Sequence, residues 1–237
     1  MNSAESARWL IVNADDFGQS HAVNRGVITA HERGIVTSAS LMVRWPSSSE
    51  AAAYAREHPG LSLGLHVDFG EWAYRDEAWT PIYVIEALDP AAEVAHQLDL
   101  FRGLVGADPT HLDSHQHVHR DEPLRSILCD TARTLGIRLR GTDPRIRYDG
   151  SFYGQSGRGY PVPEAIRVDS LVRLIQSLPV GITELGCHPG APGDDLNTMY
   201  RDERVQEVRA LCDPRVRATI QTAGVRLRSF HGSISIA

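Results

Sequence analysis

Three separated segments concentrate acids and imidazoles: Asn13-Ala14-Asp15-Asp16-Phe17-Gly18, Gly64-Leu65-His66-Val67-Asp68 and His111-Leu112-Asp113-Ser114-His115-Gln116-His117-Val118-His119. Each forms or follows an apolar, β-branched run, which places it at the end of a predicted strand. Four of the eleven histidines fall in the third segment, and neutral imidazole with carboxylate is the donor set of a borderline divalent metal. One Asp and two His from three strand ends make an open site. Its free positions accept water and substrate, which marks a catalytic ion rather than a structural one. The chemistry this suggests is that of a metallohydrolase.

Asp15 and Asp16 point to opposite sides if their strand continues and diverge if it turns, so one can hold metal while the other takes a proton. Acids are also common at helix starts, and a helix follows. His66, after Ser62-Leu63-Gly64-Leu65, fits either a ligand or a hydrogen-bonded core histidine. Between His111 and His119 the alternation predicts five side chains on one face of an extended strand. At ~3.3 Å per residue they cannot all reach one ion. His115 is the ligand of choice, with Asp113 and His117 as its orienters or as substrate contacts. A further strand ends in Cys187-His188-Pro189-Gly190, and His188, whose ordinary pKa lies near working pH, is a candidate general acid.

Elements that could position these groups are legible. Trp9–Asn13 reads as a strand, and Ser20 caps a helix whose Val23, Val27 and Ala30 share a face until Gly34. Strands over 35–43 and 61–67 enclose a helix over 47–57. Val94, Leu98, Phe101 and Val105 mark a third helix. A helix over 123–135 leads to a short strand at Ile137–Arg140. Val168, Leu171, Val172 and Ile175 mark another helix, followed by a strand over 181–187, helical pieces over 203–211 and 216–223, and a last strand over 225–230. Strands alternating with helices predict an α/β fold with a parallel sheet, and an irregular barrel would gather residues 15, 66, 115 and 188 at one mouth. Two stretches, 68–89 and 141–163, read as long loops, the first a lid or substrate wall in which Trp72 and Tyr74 fit sugar stacking and lid packing equally.

At 237 residues the chain fits one domain over 1–237. A net charge of −6 counts against a basic nucleic-acid-binding face and leaves a small or neutral partner. Cys129, Cys187 and Cys212 form no CxxC pair, so neither a disulfide framework nor a thiolate zinc site is expected, and reduced thiols fit a cytoplasmic setting. No apolar run suggests a secretion signal or a membrane span. Self-association into a homodimer is left open.

Taken in order with Phe152-Tyr153-Gly154, these segments resemble the YdjC-like carbohydrate deacetylases, the family that includes chitooligosaccharide and hopanoid-associated deacetylases. The resemblance runs over nearly the whole chain. It implies a distorted or incomplete (β/α) barrel distantly related to polysaccharide deacetylases, and a divalent ion, Mg²⁺ or Zn²⁺, serving removal of N-acetyl groups from amino sugars. By the same resemblance Asp16, His66 and His115 hold the ion, Asp15 is the base, His188 is the acid and Arg140 orients Asp15. Tyr153 joins Asp113, His117, Trp72 and Tyr74 as expected substrate contacts. After His66 this chain departs from the family pattern, with Val67-Asp68-Phe69-Gly70-Glu71-Trp72-Ala73-Tyr74-Arg75, so the substrate can differ. A metal-dependent hydrolase of a phosphoester or cyclic amide, and a non-catalytic metal- or sugar-binding protein, are the alternatives.

Overall fold

The apolar run that begins at Trp9 does not stop at Asn13 as predicted. Strand β1 (Arg8–Phe17) continues through both aspartates, because a bulge shifts its register between Ala14 and Phe17 and Asp16 turns to φ +65°. A bulge bends its strand to re-aim side chains, and Asp is among the few residues that accept this left-handed conformation. The computed structural model describes residues 7–193 and 198–232.

From β1 the chain runs through α1 (His21–Glu32), β2 (Ser38–Leu41), α2 (Ser48–Glu57), β3 (Ser62–Val67), β4 (Gly70–Arg75), β5 (Ala78–Val84), α3 (Pro90–Val105), β6 (His111–Ser114), α4 (Leu124–Leu135), β7 (Arg138–Leu139), β8 (Ile146–Asp149), α5 (Val168–Gln176), β9 (Gly181–Cys187), α6 (Asp202–Leu211), α7 (Pro214–Thr222) and β10 (Val225–Leu227). The Ser20 hydroxyl accepts the Val23 N–H and starts α1, while Asp89 caps α3 and Gly106, at φ +79°, ends it. Helix-face residues Val23, Val27, Val94, Phe101, Leu171 and Ile175 all enter one apolar core with Leu10, Val12 and Leu65.

Among the described residues, eight strands form the main sheet in the order β7-β6-β3-β2-β1-β9-β8, with β10 also on β1. Every pairing in it is parallel. The sheet curls without closing, since among the described residues β7 and β8 remain unpaired edges. This is an incomplete (β/α) barrel, and its parallel strands deliver the ends of β1, β3, β6 and β9 to one rim. No helix of the described residues is long and apolar enough to cross a membrane.

Three expectations are corrected. Residues 68–89 are not a plain loop but hold the antiparallel hairpin β4–β5, turned at Asp76 and Glu77 with φ +49° and +62°. A two-residue hairpin turn of type I′ needs positive φ at both central residues. The stretch 141–163 contributes β8, a parallel partner of β9. The histidine segment is extended only to Ser114, and residues 115–120 form short turns kinked at Gln116 and His117, which are left-handed at φ +48° and +57°. The five alternating side chains therefore do not share one strand face.

Candidate active site

At the bulge of β1 the two acids separate into different networks. Asp15 receives both terminal nitrogens of Arg140, at 2.6 and 2.7 Å, and the Asn13 amide at 2.9 Å. Arg140 follows the short strand β7 and also binds Asp113 at 2.6 Å and Glu184 at 2.6 Å. Burial would raise the Asp15 carboxyl, but the Arg140 guanidinium outweighs it and holds the group below its ordinary range. Asp15 is thus a fixed carboxylate, and its Oδ2, which Arg140 also holds, lies 3.8 Å from His188 Nε2.

Asp16 faces the histidines. Its Oδ1 lies 3.3 Å from His66 Nε2 and 2.9 Å from His115 Nδ1, while Oδ2 accepts Arg204 of α6 at 2.7 Å. Burial works against its charge, yet Arg204 and His115 hold its carboxyl well below the ordinary value. The other nitrogen of His66 is 2.7 Å from Asp113, so an imidazole backed by a carboxylate presents Nε2 to the cluster. Burial alone would discharge His66, but Asp113 and Asp16 lift it to about 9. His115 is raised likewise, chiefly by Asp16 against burial. The pocket is built to hold positive charge, and a divalent ion could displace those protons.

One ligand atom from each of Asp16, His66 and His115 lies within 4.8 Å of the others. A second trio, Asp15, His66 and Asp113, meets the same distance test. Arg140 already bridges both of its carboxylates, so the first trio fits a cation better. These side chains open into a cavity of about 560 Å³, the size of a small-molecule site. His188 lines it between Tyr153 and Tyr200, 5.2 and 5.5 Å away by ring centroid. Burial keeps His188 neutral down to about 4.

Among the expected substrate contacts, Trp72, His117 and Tyr153 line the cavity. Burial pushes His117 down to about 3, and its Nε2 is 3.4 Å from the Tyr148 hydroxyl. Asp113 does not line the cavity. It is fully buried behind His66, where Ser40 donates to it at 2.7 Å. Tyr74 also falls outside the lining and packs edge-on against Trp79 and Tyr160. Sequence reasoning missed Glu71, Arg204, Glu184 and Glu207. A signal existed for Glu184, the lone charge in the apolar strand β9. For Arg204, 188 residues from Asp16, no local pattern points to the site.

The chain is 31% identical to a carbohydrate deacetylase of Geobacillus stearothermophilus, an alignment covering 94% of this chain and 97% of that one. Its fold matches a putative cellobiose-phosphate cleavage protein from Enterococcus faecalis V583, with a TM-score of 0.71, 24% identity and coverage of 95% and 98%. A family 4 carbohydrate esterase from Streptomyces lividans matches with a TM-score of 0.55 at 14% identity, covering 97% and 94%. The YdjC-like protein family matches residues 9–222. That span contains every group around the paired aspartates, from Asn13 to Glu207, and by it the chain belongs to the YdjC-like family.

Proposed function

We propose that this chain is a metal-dependent carbohydrate deacetylase that hydrolyses the N-acetyl group of an amino sugar or a short oligosaccharide of such sugars. The observation that carries this reading is one cavity holding a two-histidine, one-carboxylate cluster beside a separate, arginine-fixed carboxylate and a neutral histidine. The named activity of the Geobacillus relative supports it.

Asp16, His66 and His115 would hold the ion, Mg²⁺ or Zn²⁺. When bound, it supplies Lewis acidity to the acetyl carbonyl and to an attacking water. Asp15 takes the proton of that water, and Arg140 keeps it ionised and aimed for the task. An amide nitrogen leaves only once protonated. His188, neutral at rest, receives the proton through Asp15 at 3.8 Å and gives it to the amine as the carbon–nitrogen bond breaks. Acetate and a free amino sugar result. Trp72, His117 and Tyr153 form the sugar wall, while Asp113 acts through His66. The free thiols Cys129, Cys187 and Cys212 suit a reducing compartment such as the cytoplasm.

The test is release of free acetate from a panel of N-acetylated chitooligosaccharides, run beside phosphoesters and cyclic amides. Acetate from the sugars alone is expected. Hydrolysis of a phosphoester or cyclic amide with no acetate from any sugar would replace this reading with the other.

A further inference from the structure

The two histidines of the cluster are backed unequally. His66 turns Nε2 to Asp16 and Nδ1 to Asp113 at 2.7 Å. His115 is reversed: Nδ1 faces Asp16 at 2.9 Å, and Nε2 is buried with no hydrogen-bond partner among the described residues. Opposite that nitrogen, at 3.7 Å, stands Oε2 of Glu71. Glu71 is only 5% exposed, and a carboxylate so enclosed is costly unless it is paired.

Glu71 is held in place from two directions. Next to it in β4, the Trp72 N–H donates to the Gln116 side chain at 2.9 Å, and the Gln116 amide returns a bond to the Trp72 carbonyl at 2.8 Å. Gln116 is the neighbour of His115, so this reciprocal pair fastens the hairpin to the histidine turn. At the hairpin's base Asp68 accepts the Gly70 N–H at 2.9 Å, the Tyr83 hydroxyl at 3.0 Å and the Trp45 indole N–H at 3.2 Å.

We propose that Glu71 is a positioning residue of the metal centre, accepting the Nε2–H of His115 and so committing Nδ1 of that imidazole to the ion, as Asp113 commits Nε2 of His66. The inference rests on the metal-dependent reading above. It assigns opposite tautomers to the two ligands, and it gives a role to the β4–β5 hairpin. A carboxylate behind a metal-bound imidazole fixes its tautomer and raises its basicity, and removing such a partner lowers metal affinity roughly 10–100-fold.

The experiment uses zinc and the whole chain with ¹⁵N-labelled histidine. In the zinc-loaded protein, imidazole NMR should show His66 ligated through Nε2 and His115 through Nδ1, with the His115 Nε2 proton slow to exchange. Glu71→Gln, which preserves shape, should weaken zinc about tenfold or more in a chelator competition and speed that exchange, with the metal-free protein still folded by circular dichroism. Zinc on Nε2 of His115, or a Glu71→Gln affinity within about twofold of wild type, overturns the proposal. A wild-type protein that binds no zinc or magnesium instead overturns the metal reading on which it stands.

Discussion

Replacing Arg140 probes the electrostatic frame of the site, because one guanidinium answers Asp15 at 2.6 and 2.7 Å, Asp113 at 2.6 Å and Glu184 at 2.6 Å. Arg140→Met keeps much of the apolar stem and deletes the charge, leaving Asp15 and Asp113, 2% and 0% exposed, without their cation. Breaking a buried ion pair from one side costs about 3–5 kcal/mol. The variant can escape a stranded charge by protonating one carboxyl. From an ordinary value of 3.8, keeping it protonated at pH 7 costs roughly 1.4 kcal/mol per pH unit, or about 4 kcal/mol. The two routes agree on a loss of about 4 kcal/mol.

The second route also fixes the sign with pH. In the wild type burial raises both carboxyls, Arg140 overrides it, and the resulting depression adds stability above 3.8 that is lost only in stronger acid. In the variant the stranded carboxyl is raised instead, so its cost shrinks as pH falls, to about 1.6 kcal/mol at pH 5. Equilibrium urea unfolding of both metal-free proteins at pH 5 and pH 7 measures the difference. A loss below about 1 kcal/mol at pH 7, or an equal loss at both pH values, refutes the reasoning.

Three further outcomes follow from the same geometry. Asp15→Asn should retain bound metal but lose about 10²–10⁴-fold in kcat, and a metal-free variant would show that Asp15 is a ligand instead. His188→Ala should reduce kcat/KM for N-acetyl sugars far more than for aryl acetates, whose leaving groups need no proton; equal losses would make His188 a brace of the Pro189-Gly190 turn. Glu207, which accepts the Tyr200 hydroxyl and the His188 N–H, is raised by burial to about 8 from 4.5. Its contribution is therefore full below 4.5 and lost as pH rises through 8, so Glu207→Gln should flatten the fall of Tm over that window; an unchanged slope would contradict the assignment.

The acids and imidazoles that the structure gathers in the candidate site were legible because the chemistry lies in residue type and the position lies at strand ends, both local properties. The same is true of α1 and α3, whose caps and apolar faces are written in consecutive residues. What was illegible depends on conformation or distance. An alternating pattern from His111 to His119 looks identical whether it stays extended or, as here, turns left-handed at Gln116 and His117. The β4–β5 turn places Glu77 at positive φ where a hairpin usually carries Gly after its Asn or Asp, so the turn signal was incomplete. Arg204 and Glu71 reach the cluster from α6 and the hairpin, and only the curl of the sheet and the clamp of Gln116 bring them there.

The central claim is that one divalent ion, held by Asp16, His66 and His115, serves deacetylation. Stripped protein titrated with zinc and assayed for acetate release from a chitooligosaccharide tests it most directly. Activity should rise linearly to a break at one equivalent in the wild type and show no such break in His115→Ala. Full acetate release from the stripped protein, or a break at one equivalent in the His115→Ala variant, would contradict it.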